Sequence, residues 1–262
     1  MDVIIASNEQ EAGRIAAAHI AHALRGIERP VLGVATGSSP LSTYEDLGRR
    51  IKEGSLDLSQ ARAFALDEYV GIPADNPLSY ADTIRTTVTE PLGFDPANVR
   101  TPDGMADDIA AGAKEYDEAI KAAGGIDVQI LGIGNNGHIG FNEPGSSLVS
   151  RTRQVCLTRE TREANARYFD DPADVPTHAV SQGLGTIMEA RKVVLVALGE
   201  QKAAAIAAAC EGPMGAHCPA TLLQMHPDAV IVVDEAAGSQ LQRKDYYADV
   251  QRLMPEDQRV VD

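Results

Sequence analysis

Between residues 8 and 25, Ala12, Ile15, Ala16, His19, Ile20, Ala23 and Leu24 recur at helical spacing, which predicts an amphipathic helix. Ser7 followed by Gln10 reads as a capping box at its start. Short apolar runs come next. "VLGVAT" (31–36) is closed by "GSSP", where Ser39 and Pro40 suit the N-cap and first turn of a helix to about Glu53. "RAFALDEY" (62–69) predicts a strand, residues 106–123 a long helix and "DVQILGIG" (127–134) a buried strand. "KVVLVALG" (192–199) precedes an alanine-rich helix over 200–210, and "AVIVVDE" (229–235) supplies a late strand.

Continuously apolar strands that alternate with amphipathic helices must be buried on both faces, since a half-exposed strand would alternate apolar and polar residues. The pattern predicts a three-layer α/β/α, Rossmann-like arrangement around a mainly parallel sheet. No repeat, low-complexity tract or long linker divides the chain, so residues 1–262 read as one unit. The rhythm breaks over about 145–180, where "RQVCLT" leads into a charged helix and "DDPADVPT". This stretch is expected to form a lid or an additional hairpin.

Charge narrows the partners. The chain carries 23 Lys and Arg against 38 Asp and Glu, a formal −15, which disfavours nucleic acid and anionic lipid. An anionic metabolite remains allowed where cations gather locally. Five arginines fall within 151–167 (Arg151, Arg153, Arg159, Arg162 and Arg167), although Glu160 and Glu163 among them also suit a solvated helix face. No run approaches the roughly 20 apolar residues of a membrane span, and "MDVIIASNEQ" lacks a signal-peptide pattern, so a cytoplasmic location is expected. Cys156, Cys210 and Cys218 are too few for a disulfide framework and read as reduced, buried thiols.

Ligands of open parallel sheets bind beyond the carboxyl ends of the strands, where helix N-termini point free N–H groups. Four such ends here carry "TGSSP", the pair Asp67–Glu68, "NNGHIGFNEP" and "EQK" ending in Lys202. Thr36, Gly37, Ser38 and Ser39 offer hydroxyls and a permissive backbone suited to a phosphate; they would serve an ordinary capped turn equally well. Consecutive strand residues point in opposite directions, so only one of Asp67 and Glu68 is expected to face a ligand. Asp67, directly after the apolar run, is the candidate general base, with a turn or cap carboxylate as the alternative.

"GIGNNGHIGFNEPG" (132–145) has the glycine spacing of a dinucleotide fingerprint. Gly140, Pro144 and Gly145 make poor helix material, however, and the next strand ends near Thr158 and Arg159 rather than in an acidic residue. The glycines are expected instead to let the loop fold back so that His138 and Glu143 meet, a pairing suited to proton transfer. A His/Glu pair could also hold a metal, but His217, Cys218 and His226 lie far along the chain and read as structural.

"ATGSSP", "LDEYVG", "GNNGHIGFNEP", "SRTR", "TREANARYF" and "LGEQKA" follow one another in this order. Together they resemble the glucosamine-6-phosphate deaminase (glucosamine/galactosamine-6-phosphate isomerase) family over almost the whole chain. The wider superfamily includes 6-phosphogluconolactonases and sugar-sensing domains of regulators; the "DEYVG" and "GHIGFNEP" blocks point to the deaminases. The resemblance implies conversion of glucosamine 6-phosphate and water to fructose 6-phosphate and ammonia, with no cofactor and no metal. It implies that His138 assists ring opening, that Asp67 moves the C2 proton to C1 and that Glu143 supports His138. Phosphate binding would fall to Thr36, Gly37, Ser38, Ser39, Arg167 and Lys202. The expected partner is the small sugar phosphate alone, with a homo-oligomer allowed. Two positions depart from the pattern. Asn136 stands where some members carry Asp, leaving Glu143 as the only carboxylate expected beside His138. Val155 stands where allosterically activated members carry Lys two positions after Arg153, so activation of that kind is not implied.

Overall fold

The computed structural model describes residues 1–255, 259 and 260; positions 256–258 and 261–262 of the expected 1–262 unit lie outside the described residues. The chain begins β1 (Asp2–Ala6), α1 (Glu9–Leu24), β2 (Val31–Val34), α2 (Leu41–Lys52), β3 (Arg62–Ala65), β4 (Asp67–Tyr69), α3 (Tyr80–Ile84) and β5 (Val99–Arg100). It continues through α4 (Ile109–Ala122), β6 (Val128–Leu131), β7 (Arg153–Cys156), α5 (Arg159–Asn165) and β8 (His178–Ser181). The remainder is α6 (Leu184–Met188), β9 (Lys192–Ala197), α7 (Ala203–Glu211), β10 (Ala229–Asp234) and α8 (Lys244–Leu253).

Seven strands form the central sheet in the order β1-β10-β9-β6-β2-β3-β5, and every pairing is parallel. Successive residues of one strand feed opposite cores. Val194, Val196, Val230 and Val232 pack with Ile20 of α1 and Leu47 of α2 on one face. Val193, Leu195, Ile231 and Val233 pack with Ile120 of α4, Ile187 of α6 and Ile206 of α7 on the other. Burial of each such side chain contributes about 1.5–3 kcal/mol, which is why the strand interiors are largely apolar on both faces. Among the described residues, no helix is long and apolar enough to cross a membrane.

Three local expectations need correction. The cap of α1 is Asn8, which accepts from the Glu11 N–H at 2.9 Å, while Glu11 reaches back to the Ser7 N–H at 2.7 Å; the reciprocal pair lies one residue later than Ser7 and Gln10. Ser39 does not cap α2: no side chain does, and the Ser38 carbonyl accepts from Leu41 in a turn instead. "RAFALDEY" is not one strand. β3 ends at Ala65, and β4 opens a second, antiparallel sheet of order β4-β8-β7. The break has a physical cause, because the end of β8 captures the chain there. The Gln182 N–H bonds the Leu66 carbonyl at 2.7 Å, and its side chain bonds the Ala65 carbonyl at 2.9 Å. The irregular 145–180 region thus contributes a hairpin, β7 and β8, with α5 carried between its strands.

α1 and α2 approach closely at Gly13, where an added Cβ would lie 2.5 Å from the Ser42 carbonyl carbon. Alanine favours a helix interior by about 1 kcal/mol over glycine, but the backbone contact leaves no room for its methyl. Gly13→Ala is therefore expected to destabilise the protein by roughly 1–3 kcal/mol in urea unfolding; an unchanged midpoint would show that the two helices can separate freely.

Candidate active site

The connections of β2 and β6 leave in opposite directions, β2 towards β3 and β6 towards β9, so the crevice between them is a topological switch point. The loops that follow β9, β6, β2 and β3 all emerge at this edge because those strands are neighbours and parallel. Through them the structure brings most of the sequence-derived candidates to one end of the sheet.

Asp67 and Glu68 diverge as alternation in a strand requires. Both are buried, at 5% and 2% exposure. Glu68 accepts backbone hydrogen bonds from Tyr69, Tyr80 and Ala81 at 2.8–2.9 Å and so anchors the start of α3. Asp67 accepts no hydrogen bond from any described residue. Burial first, and the neighbouring Glu68 charge second, push its pKa up to about 8. Its carboxylate lies against the glycine-rich loop: a Cβ on Gly140 would be 3.5 Å from Oδ2.

The 132–145 loop turns back on itself, and at Gly134 and Gly137 nothing larger fits. A Cβ on Gly134 would lie 2.2 Å from the His138 ring, and one on Gly137, at φ +84°, would lie 2.3 Å from Cys218 Sγ. The reversal is closed by the Gly134 N–H donating to the His138 carbonyl at 2.8 Å. His138 Nδ1 then stands 3.4 Å from Glu143 Oε2, an electrostatic contact too poorly aligned to be a formed hydrogen bond. Contacts of this kind often tighten only when a ligand arrives. Asn136 occupies both sides of the pair, donating to Glu143 Oε2 at 2.8 Å and accepting from the His138 N–H at 3.2 Å. Glu143 Oε1 accepts from Thr158 at 3.2 Å and from Thr161. Burial alone would raise the Glu143 pKa, but His138, Thr161 and Asn136 outweigh it and hold the group at about 2.

At the neighbouring edge Thr36 is half-buried, Gly37 and Ser38 are exposed and Ser39 is buried. Gly37 has φ +94°, a conformation that glycine adopts without strain. Lys202, in the short turn before α7, donates to Asn135 Oδ1 at 2.8 Å. Burial, and then the positive field of Arg167, lower its pKa. Arg167 lies over the Tyr168 ring at 4.7 Å and donates to its hydroxyl at 2.7 Å. Two neighbouring cations, one of them partly desolvated, form a favourable place for an anion.

The rest of the arginine cluster disperses. Arg151 pairs with Asp117 and Glu189, Arg159 with Glu163, and Arg153 donates to Asn142 and Ser146. His226 is committed to Ala190 and Asp228, His217 is exposed, and among the described residues no cluster suited to a metal occurs. The thiols differ from the expectation of three buried cysteines: Cys156 is exposed, Cys210 partly so and only Cys218 is buried.

The model of the glucosamine-6-phosphate isomerases and 6-phosphogluconolactonases matches residues 6–232. The chain belongs to this family. It is 59% identical to glucosamine-6-phosphate deaminase of Cutibacterium acnes (strain DSM 16379 / KPA171202), over 94% of this chain and 95% of that protein. It is 52% identical to the enzyme of the same name from Bifidobacterium longum subsp. infantis, over 94% of both chains. A solved monomeric glucosamine-6-phosphate deaminase superposes with a TM-score of 0.89 at 37% identity, covering 92% of this chain and all of that one. The 6-phosphogluconolactonase of Trypanosoma cruzi shares the fold, with a TM-score of 0.73 at 19% identity over 92% of this chain and 97% of that one.

Residues that sequence reasoning passed over also reach this edge of the family fold. Thr158 is the N-cap of α5, and a threonine ahead of a charged helix signals that much; its contact with Glu143, 15 residues earlier, has no local signal. Ser181, the register partner of Asp67, accepts from the Phe141 N–H at 3.0 Å. The raised pKa of Asp67 has a consequence for stability. Below about pH 4 the side chain is protonated in both folded and unfolded chains. As pH rises towards 8 only the unfolded chain releases the proton, so the folded state loses stability across that window. Asp67→Asn removes this penalty and is expected to melt at least about 2–4 °C above the parent at pH 8, with the gap closing towards pH 4. A gap that does not vary with pH would contradict the burial of an ionisable Asp67.

Proposed function

We propose that this protein is a glucosamine-6-phosphate deaminase, converting glucosamine 6-phosphate and water to fructose 6-phosphate and ammonia by general acid/base catalysis. One observation carries the reading: two acid/base centres of opposite character meet at one sheet edge. Asp67 is desolvated with its pKa raised to about 8, and His138 stands beside a Glu143 held ionised at about 2. Pairs whose surroundings drive their pKa values apart are how one site runs acid and base steps at a single pH. The deaminase name of relatives at 52–59% identity supports the same conclusion.

In this mechanism the phosphate rests on Thr36, Gly37, Ser38 and Ser39 and on the start of α2, with Arg167 and Lys202 supplying charge. His138, oriented by Glu143 and Asn136, takes the C1 hydroxyl proton and returns one to the ring oxygen, opening the sugar to an aldehyde. That aldehyde acidifies the C2 proton. Asp67, in its ionised form, removes it while the substrate ammonium gives up one proton and the C1 oxygen takes one, so that a neutral enolamine forms. The protonated Asp67 delivers the proton to C1, leaving an imine at C2. Water adds to that carbon and ammonia leaves, so no redox partner is required. The substrate ammonium beside Asp67 favours the carboxylate and offsets the burial that keeps it protonated in the empty site. Every group invoked belongs to one chain. A charged sugar phosphate does not cross a bilayer unaided, so the proposal carries a cytoplasmic location with it.

The test is ammonia release from glucosamine 6-phosphate. The parent protein should release it well above a boiled control, with the acid limb of kcat/KM for the free protein rising towards pH 8 as Asp67 ionises. Release no greater than the control, with hydrolysis of 6-phosphogluconolactone in its place, would remove the deaminase reading. Asp67→Asn should lower kcat by about 10²–10⁴-fold while KM moves only a few-fold. Gly134→Ala, whose methyl displaces the His138 ring, should also lower kcat, with little change in melting temperature; full activity would mean that His138 need not occupy this position.

A further inference from the structure

Glu143 is gripped from two sides, and the two sides belong to different parts of the fold. Its Oε2 faces Asn136 and His138 within the 132–145 loop. Its Oε1 faces the hydroxyls of Thr158 and Thr161, the N-cap and a residue of α5, in the segment that runs on to Arg167. Thr161 is the only buried residue of α5. The helix therefore docks through a polar contact and not through an apolar face. Its far end is tied in the same manner: Asn165 donates to the Tyr69 hydroxyl at 2.9 Å, and Phe169 packs edge-on against that ring at 5.9 Å. Tyr69 lies two residues after Asp67 on β4. Both ends of the segment are thus fastened to elements that carry the proposed acid/base residues, and the segment itself carries a proposed phosphate ligand.

We infer that Thr161, assisted by Thr158, is a positioning residue that makes the His138–Glu143 pair competent only when the Arg167-bearing segment is docked. This rests on the deaminase reading and adds a coupling to it, between capture of the phosphate and readiness of the proton relay. The physical basis is the number of donors that a buried carboxylate requires. With both hydroxyls in place Glu143 stays ionised and cannot rotate, so Oε2 remains turned to the imidazole. Without them burial acts unopposed on Oε1, only the Oε2 contacts with Asn136 and His138 still hold the carboxyl, and its charged form loses support. His138 is the one titratable group among the described neighbours of Glu143; Asn136, Thr158 and Thr161 are neutral. A change in the charge of Glu143 is therefore felt first at His138, 3.4 Å away.

The test compares Thr161→Val, which keeps the shape and removes the donor, with Thr161→Ser, which keeps the donor. Loss of a hydrogen bond to a charged group corresponds to roughly 10- to 100-fold, so Thr161→Val should lower kcat by about that factor and shift the acid limb of the kcat profile to higher pH. Thr161→Ser should restore both. Melting curves of the two variants serve as the control for folding. A Thr161→Val enzyme with the parental kcat and parental acid limb would overturn the coupling, as would a loss that Thr161→Ser fails to restore. A rise in KM with no change in the pH profile would mark Thr161 as merely structural and would overturn it equally. If the parent itself releases no ammonia, the deaminase reading fails first, and that outcome is recorded before any variant is compared.

Discussion

Because β9, β6, β2 and β3 pair side by side in parallel, their carboxyl ends lie along one edge and the four loops that follow have to meet there. The residues so gathered span positions 36 to 202, far beyond the reach of local chain structure. What holds them is the ladder of backbone hydrogen bonds and the two apolar cores on either side of it. Those cores tolerate no register slip, since a one-residue shift would exchange the residues facing α1 and α2 with those facing α4 and α7. The rigidity of the sheet is thus also the rigidity of the site.

Upon this frame two buried carboxylates receive opposite treatment. Glu143 is surrounded by donors and stays charged in spite of burial, whereas Asp67 has burial, a like-charged neighbour and no donor. The contrast arises from sheet switching at Leu66. Had β3 run on as a single strand, Asp67 would sit on the edge of the central sheet; instead it opens the small antiparallel sheet opposite Ser181, facing the glycine loop. Glu68, one position on, faces the other way and spends its charge on the start of α3. A destabilised carboxylate of this kind is expected where stability is exchanged for chemistry.

Cations are treated as selectively as carboxylates. On a chain with a formal charge of −15, most arginines of the 151–167 stretch are absorbed by acidic or polar partners. Arg167 instead lies near enough to Lys202 for its charge to lower the lysine pKa, two like charges at the edge where an anion can join them. Neutralising such a pair would favour docking of the segment that carries Arg167, and the hydroxyls of α5 sit at the other end of that docking.

The amino-acid sequence alone determined the layered parallel architecture, because two-sided burial writes continuous apolar strands and amphipathic helices directly into residue pattern. It also singled out the loops after four strands, since glycines, hydroxyls and carboxylates at strand ends are local features. Tertiary structure decided what local pattern cannot encode. The change of sheet at Leu66 depends on Gln182, more than a hundred residues away, and the partner of Glu143 on α5 depends on how a hairpin folds over the edge. The division follows from range: periodicity and turn chemistry act over a few residues, whereas pKa values and hydrogen-bond partners are set by whichever distant groups the packed core brings within a few ångströms.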